Sequence, residues 1–322
     1  MTSRSVSVTG ATGFLGWHLA GEFLRRGWTV RAVVRPGSVK PLPPGAEVAY
    51  AAIDDPESLK AAFAGSETIV HGAAVTRAPS ERAFRAVNVE GTRAVVAAAN
   101  ATGSRLILIS SLAAIGPGTP ERPTHEDDRP RPLTPYGRSK LASEAVVRSD
   151  ARVPWTILRP SAVYGPRDRL FLPLARIAAR GWFPLVAKPA TAFTLIYADD
   201  LARAVRMTAE DLRSVGEALF LGHPEPQTAW GILRQLAQAV GKPFRPLRVP
   251  PLVLRAVALA GEASWRLGLA PVVDVARLAE LRAEGWVCAV DRARAAIEFM
   301  AETPLAEGLE RTIRWYRDQQ WI

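Results

Sequence analysis

The stretch Thr9-Gly10-Ala11-Thr12-Gly13-Phe14-Leu15-Gly16 follows an apolar run at 5–9 and opens a helical pattern at 14–26. Glycines framed by a strand on one side and a helix on the other form a cradle for a pyrophosphate. Gly10 permits the tight turn, Gly13 lets the backbone approach the phosphates, and Gly16 lets the helix pack close to the strand. The helix N-terminus adds N–H donors and positive potential. Thr12, Phe14 and Leu15 belong to the same contacting loop.

Beyond this loop the first half alternates short strand-like runs with helical patterns. Strands are predicted at 5–9, 29–34, 47–51, 68–71, 105–110 and 155–158, and helices at 14–26, 57–63, 83–102 and 135–149. That alternation predicts an α/β fold, a doubly wound parallel Rossmann sheet covered on both faces. After Pro160, prolines and glycines break the pattern, a strand and helix return at 194–208, and further helices follow at 228–240, across 251–282 and at 305–319. The expected organisation is a dinucleotide-binding domain at 1–165 rejoined by 190–215. A smaller, discontinuous substrate domain takes 166–189 and 216–300, and a C-terminal helix takes 301–322.

The chain has 322 residues, of which 48% are hydrophobic, enough for sizeable cores. Its 41 Lys plus Arg outnumber 31 Asp plus Glu, for a formal charge of +10, which raises the question of an anionic partner. Only five of those cations are lysines, and the arginines are scattered, so the dense basic arm of a nucleic-acid binder is missing. One cysteine and four dispersed histidines offer neither a disulfide nor metal-ligand spacing. The N-terminal residues lack a signal-peptide pattern and no apolar run reaches the ~20 residues of a membrane span, so a cytoplasmic protein without stable membrane insertion is expected.

At the end of the second strand, where a carboxylate would hold the adenosine ribose of NAD, the chain reads Val34-Arg35-Pro36-Gly37-Ser38. Arg35, helped by Ser38 or Lys40, suits a 2′-phosphate instead, so NADP(H) is preferred and NAD(H) remains possible. Further on, Tyr136 and Lys140 of Tyr136-Gly137-Arg138-Ser139-Lys140 lie one turn apart on a helix. A lysine ammonium beside a phenol lowers the phenol's pKa and lets it exchange protons near neutrality. The strand at 105–110 brings Ser110 and Ser111 to the same sheet edge.

With these motifs in this order the chain resembles the extended short-chain dehydrogenase/reductase family over nearly its whole length. Val70-His71-Gly72-Ala73-Ala74, Asn88-Val89-Glu90-Gly91-Thr92, Arg159-Pro160-Ser161-Ala162-Val163-Tyr164-Gly165-Pro166 and Tyr197-Ala198-Asp199-Asp200 also resemble that family. The resemblance implies that Tyr136 is the general acid/base, Lys140 its modulator and ribose ligand, and Ser111 the donor to the substrate oxygen, with Ser110 the weaker candidate. It also implies cofactor contacts from Ala73, Ala74, Asn88, Ser110, Pro160, Ala162 and Val163. Adenine would meet Ile53 and Asp54, because Ala52 stands where the family usually has an aspartate. A homodimer through the helices holding Asn88 and Tyr136 is implied as well.

Departures from the family pattern sort its branches. Ser111 is followed by Leu112-Ala113-Ala114 rather than an Asp-Glu pair, which argues against sugar 4,6-dehydration. Ser161 replaces the asparagine that commonly holds a sugar nucleotide. The apolar runs at 170–173, 182–186 and 251–259 suit a small hydrophobic carbonyl or alcohol substrate. The chain thus looks like the hydroxysteroid dehydrogenase and dihydroflavonol reductase branch, with nucleotide-sugar epimerisation and non-catalytic NADP(H) sensing as the alternatives. The stretch at 251–269 could alternatively rest on a membrane surface, helped by Arg255 and Arg266, a reading that its glycine interruptions and modest length weigh against without deciding.

Overall fold

In the computed structural model, which describes residues 4–322, seven parallel strands form the central sheet. They are β1 (Ser5–Thr9), β2 (Thr29–Val34), β3 (Glu47–Tyr50), β4 (Thr68–His71), β5 (Arg105–Ile109), β6 (Trp155–Pro160) and β7 (Ala218–Leu221), in the order β7-β6-β5-β4-β1-β2-β3. The chain builds β2 and β3 on one side of β1, then crosses to lay β4 on the other. Strand order reverses between β1 and β4, and a crevice opens there at the carboxyl ends of the strands. β1, β4 and β5 are almost wholly buried, as strands covered on both faces require.

The helix Phe14–Arg25 packs against Ala198–Glu210 on one face of the sheet. On the other face lie Pro56–Phe63, Gly91–Thr102 and Pro135–Asp150. Proline at the first helical position and a side-chain cap start two of them: Asp55 accepts from the Glu57 and Ser58 amides, and Thr134 from Gly137.

The strand Ala218–Leu221 belongs to the sheet, and Ala293, Ile297, Phe299 and Ala301 pack into the core beside β1. Residues 216–300 are therefore not one block of a substrate domain, because this stretch supplies a sheet strand and part of the sheet's packing layer. A satellite core gathers Leu172–Ala179, Phe183–Leu185, Ala229–Val240 and the terminal helix Leu305–Asp318, centred on Phe183, Leu236, Ile313 and Tyr316. The helix expected at 83–102 begins at Glu81 and passes through a π-helical turn at Arg85–Glu90. The long stretch at 251–282 divides into Pro251–Ser264, a short turn at Trp265–Leu267 and Val275–Leu281. Much of Pro251–Ser264 is exposed, Leu252, Val253, Val257 and Leu259 among it, so these side chains do not line a buried cavity. Among the described residues no helix is long and apolar enough to cross a membrane.

Candidate active site

The glycine loop has no room for side chains. A Cβ on Gly16 would lie 2.1 Å from the Gly10 carbonyl oxygen, and one on Gly10, where φ is +76°, would meet the Ala73 backbone at 2.9 Å. The loop after β1 therefore touches the loop after β4 at the point where strand order reverses. Gly13 donates its amide to Gly10 O at 2.9 Å and is itself exposed, so its backbone is open to an approaching phosphate. Thr12, Phe14 and Leu15 are half-buried beside it. This cradle, which a Cβ would fill, fits a dinucleotide pyrophosphate.

Arg35 leaves the carboxyl end of β2 through a tight turn in which the Ser38 amide donates to the Arg35 carbonyl at 3.1 Å and Gly37 has φ +76°. Pro36 and Gly37 occupy the positions that a type II turn favours. The turn brings Arg35 and Ser38 together, with the Arg35 side chain exposed and without an ion-pair partner among the described residues. Lys40 is exposed two residues further on. Asp54 is exposed, whereas Ile53 is half-buried against Gly91, where a Cβ would lie 2.9 Å from Ile53 Cγ1.

A buried hydrogen-bond chain lines the crevice floor. Thr9 Oγ1 accepts from the Ala73 amide at 3.2 Å and bonds His71 Nδ1 at 2.8 Å, while His71 Nε2 reaches Thr92 Oγ1 at 3.1 Å. Burial, reinforced by the charge on Lys140, pushes His71 down to about 3, so it stays neutral and serves as a strut. Asn88, in the π-helical turn, accepts from the Val75 amide at 2.8 Å and donates to Val75 O at 3.0 Å and to Ser139 Oγ at 2.9 Å. Its amide is committed to protein groups. Asn88 clamps the loop carrying Ala73 and Ala74 to the Tyr136 helix.

Ser111 and Tyr136 lie close enough for the serine hydroxyl to act on the phenol's proton affinity. Ser111 caps the short turn Leu112–Ala114, accepting from the Ala113 amide at 3.1 Å, which fixes its hydroxyl. Tyr136 packs beside Phe84, ring centroids 6.2 Å apart. Burial pushes its phenol up to about 12; the nearby Ser111 hydroxyl opposes this and the charge of Glu280 adds to it. The expected lowering by Lys140 is not what this arrangement gives. The Lys140 ammonium donates to the Ile109 carbonyl at 2.6 Å, and burial, opposed by Glu144, brings it down to about 8.

Ser110 is turned away from Tyr136, donating at 2.5 Å to Glu144, which is held by Arg159 at 2.7 Å in a buried ion pair. Its hydroxyl is thereby tied to a buried core ion pair. At the end of β6, Pro160 is buried, Ala162 exposed and Val163 half-buried. Ser161 is 7% exposed, and its hydroxyl, near Gly222, finds no hydrogen-bond partner among the described residues.

Glu280 is a site residue the sequence did not disclose. It comes from Val275–Leu281, accepts from Thr134 Oγ1 at 3.2 Å, and so joins the substrate side of the molecule to the cap of the Tyr136 helix. Nothing in Ala279-Glu280-Leu281 marks it; its part depends wholly on tertiary placement. Glu280→Gln keeps the acceptor and removes the charge, so the Tyr136 pKa falls. Any rate that requires the phenolate then rises at lower pH than in the wild type, as a pH–rate profile of alcohol oxidation measures.

This glycine cradle at the reversal point of a parallel sheet, with a Ser–Tyr pair and a neighbouring lysine at its mouth, defines a dinucleotide-dependent enzyme of the short-chain dehydrogenase/reductase type. The model of the NAD dependent epimerase/dehydratase family matches residues 6–222, and the chain belongs to that family. It is 32% identical to a ceramide reductase of Caulobacter vibrioides over 324 residues, covering 98% of this chain and 96% of that protein. A 2-alkyl-3-oxoalkanoate reductase of Stenotrophomonas maltophilia is 29% identical over 255 residues, 74% of this chain and 76% of the relative. The UDP-glucose 4-epimerase of Thermus thermophilus, solved in complex with NAD, shares the fold with a TM-score of 0.75 at 23% identity, covering 98% of this chain and 99% of that one.

Proposed function

We propose that this protein is an NADP(H)-dependent oxidoreductase that interconverts a hydrophobic ketone and its secondary alcohol. The observation that carries the reading is the approach of Ser111 and Tyr136 at the carboxyl edge of the sheet that also carries the glycine cradle. A nicotinamide dinucleotide held there supplies hydride to the carbonyl carbon, or takes it up in reverse. Ser111 donates to the carbonyl oxygen as it gains negative charge, and Tyr136 passes its proton to that oxygen. A phenol pushed up to about 12 stays protonated at neutral pH, which suits proton donation in the reductive direction. On this reading Lys140 also holds the nicotinamide ribose, and the bonds of Asn88 to Ser139 and of Thr134 to the Gly137 amide keep the Tyr136 helix in register.

Two further observations favour a ketone over a sugar nucleotide. The residues after Ser111 are apolar, so no carboxylate there can shuttle protons at neighbouring sugar carbons, and Ser161 stands in place of an amide. The ceramide reductase and the 2-alkyl-3-oxoalkanoate reductase act, as their names state, on lipid-like substrates. The alternative is epimerisation of a nucleotide sugar with recycled NAD, favoured by the fold shared with the Thermus enzyme. Pairing of two copies through the helices carrying Asn88 and Tyr136 is part of the same reading. The NADP(H) preference rests on Arg35 and Ser38 where an acidic residue would select NAD. Titration with both cofactors tests it: Arg35→Ala weakens NADPH by at least about tenfold and leaves NADH nearly unchanged, since a paired phosphate charge is worth on the order of 1.5–3 kcal/mol. Equal loss of both cofactors, or NADH bound more tightly by the wild type, contradicts the phosphate assignment.

A further inference from the structure

A surface helix normally turns its apolar stripe to the core. Pro251–Ser264 does the reverse. Its buried seam is made of small residues, Ala258 and Gly261, and a Cβ on Gly261 would lie 2.0 Å from the Val273 carbonyl oxygen, so the helix sits flat on the following segment. The opposite side presents Leu252, Ala256, Leu259 and Ala263 at spacings of one turn, and Leu252 is 80% and Leu259 55% exposed. Leu267, at 78%, and Leu269, at 60%, add exposed apolar side chains just past the helix end. Isolated exposed leucines are ordinary, but apolar residues repeated along one exposed helix face mark an interaction surface.

Its charge is one-sided. Lys242, Arg245, Arg248, Arg255, Arg266 and Arg282 are exposed around it, and none pairs with a carboxylate among the described residues. Of the four acidic residues between 242 and 284, Asp274 caps a helix and Glu280 faces Thr134, which leaves Glu262 and Glu284 exposed against these six cations. The patch also adjoins the site. Val275–Leu281 packs on Pro251–Ser264 and carries Glu280 to the Tyr136 helix, and Arg77 from the loop after β4 donates to the Pro271 carbonyl at 3.0 Å.

We propose that this face rests on an anionic phospholipid surface, its leucines entering the headgroup boundary and its arginines and lysine meeting the lipid phosphates, so that the adjoining crevice takes its ketone from the bilayer. The delivery step rests on the hydrophobic-ketone reading; the docking step does not. Apolar area and flanking cations are the two terms that hold a helix in the interface plane.

Vesicle flotation of the full chain tests it, with vesicles of equal parts phosphatidylglycerol and phosphatidylcholine against phosphatidylcholine alone. Wild type floats with the anionic vesicles, less with the neutral ones, and less again at high salt. The double variant Leu252→Glu/Leu259→Glu lowers flotation by at least about tenfold, two leucines' worth of burial, with its melting temperature and its turnover of a water-soluble ketone unchanged. Should that variant misfold, Arg248→Glu/Arg266→Glu gives the same loss on anionic vesicles. Absence of flotation, flotation indifferent to these substitutions, or loss of an oligomer in vesicle-free solution overturns the proposal, the last because a second copy then covers the face. A wild type that floats but reduces no ketone upholds docking and removes the substrate reading. One that reduces soluble ketones without floating removes docking alone.

Discussion

Tyr136→Phe lowers turnover by about three orders of magnitude, in the range expected when a positioned general acid/base is removed. Dinucleotide affinity stays within about twofold, because the contacts assigned to the pyrophosphate and the 2′-phosphate lie elsewhere, on the loop at 10–16 and at Arg35. The substitution keeps the ring against Phe84 and deletes only the hydroxyl that meets Ser111. Ser111 retains its bond from the Ala113 amide, so the oxyanion donor is still held in place. Steady-state kinetics with fluorescence titration of the cofactor separates the two quantities. Retained turnover removes Tyr136 from the chemistry, and a parallel loss of cofactor binding makes its part structural.

Gly16→Ala destabilises the protein by about 3 kcal/mol or more, the upper range for overpacking a tight site, and weakens dinucleotide binding by at least about tenfold. The added methyl would sit 2.1 Å from Gly10 O, 2.6 Å from Gly10 C and 2.7 Å from Ala11 Cα. All three are backbone atoms, so no side chain can swing aside and the cradle itself must move. Gly21→Ala on the same helix is the control. Its nearest neighbour would be the flexible end of Arg25 at 3.4 Å, and alanine there is neutral or stabilises by up to about 1 kcal/mol. Thermal unfolding of the two variants side by side distinguishes a steric demand at Gly16 from a general intolerance of the helix.

What could be read from the sequence, and what could not, follows from the range of the forces involved. The first strands, the glycine loop and the Tyr136 helix were legible because each is set by local rules: β-branched runs, a turn that needs positive φ, proline and threonine at a helix start. Ala218–Leu221 was not, since a four-residue apolar run has no periodicity to tell a sheet strand from buried helix. The serine pair shows the same limit within the site. Adjacent residues on an extended chain point to opposite sides, so Ser111 meets Tyr136 while Ser110 is claimed by Glu144. Only the presence of the buried Arg159–Glu144 pair decides which hydroxyl is free.

Lys140 and the 251–269 stretch teach a different lesson. The spacing of Tyr136 and Lys140 sets them on one face of a helix, yet where the ammonium spends its hydrogen bond depends on the Ile109 carbonyl at the end of β5. The leucines at 252 and 259 read equally well as core, as pocket lining or as surface. Their exposure follows from the small residues Ala258 and Gly261 choosing the opposite face for packing, a contest between close backbone approach and side-chain burial that periodicity alone cannot settle.

The central claim is hydride exchange with a hydrophobic ketone, and isotope transfer measures it directly. NADPH carrying deuterium at the transferable nicotinamide position is mixed with the protein and a long-chain 3-oxo ester, and the product is analysed by mass spectrometry. The account predicts an alcohol bearing one deuterium at the former carbonyl carbon, formed one-for-one with oxidised cofactor and absent with Tyr136→Phe. Interconversion of UDP-glucose and UDP-galactose on a tightly retained NAD, with no labelled alcohol from any ketone, would contradict it.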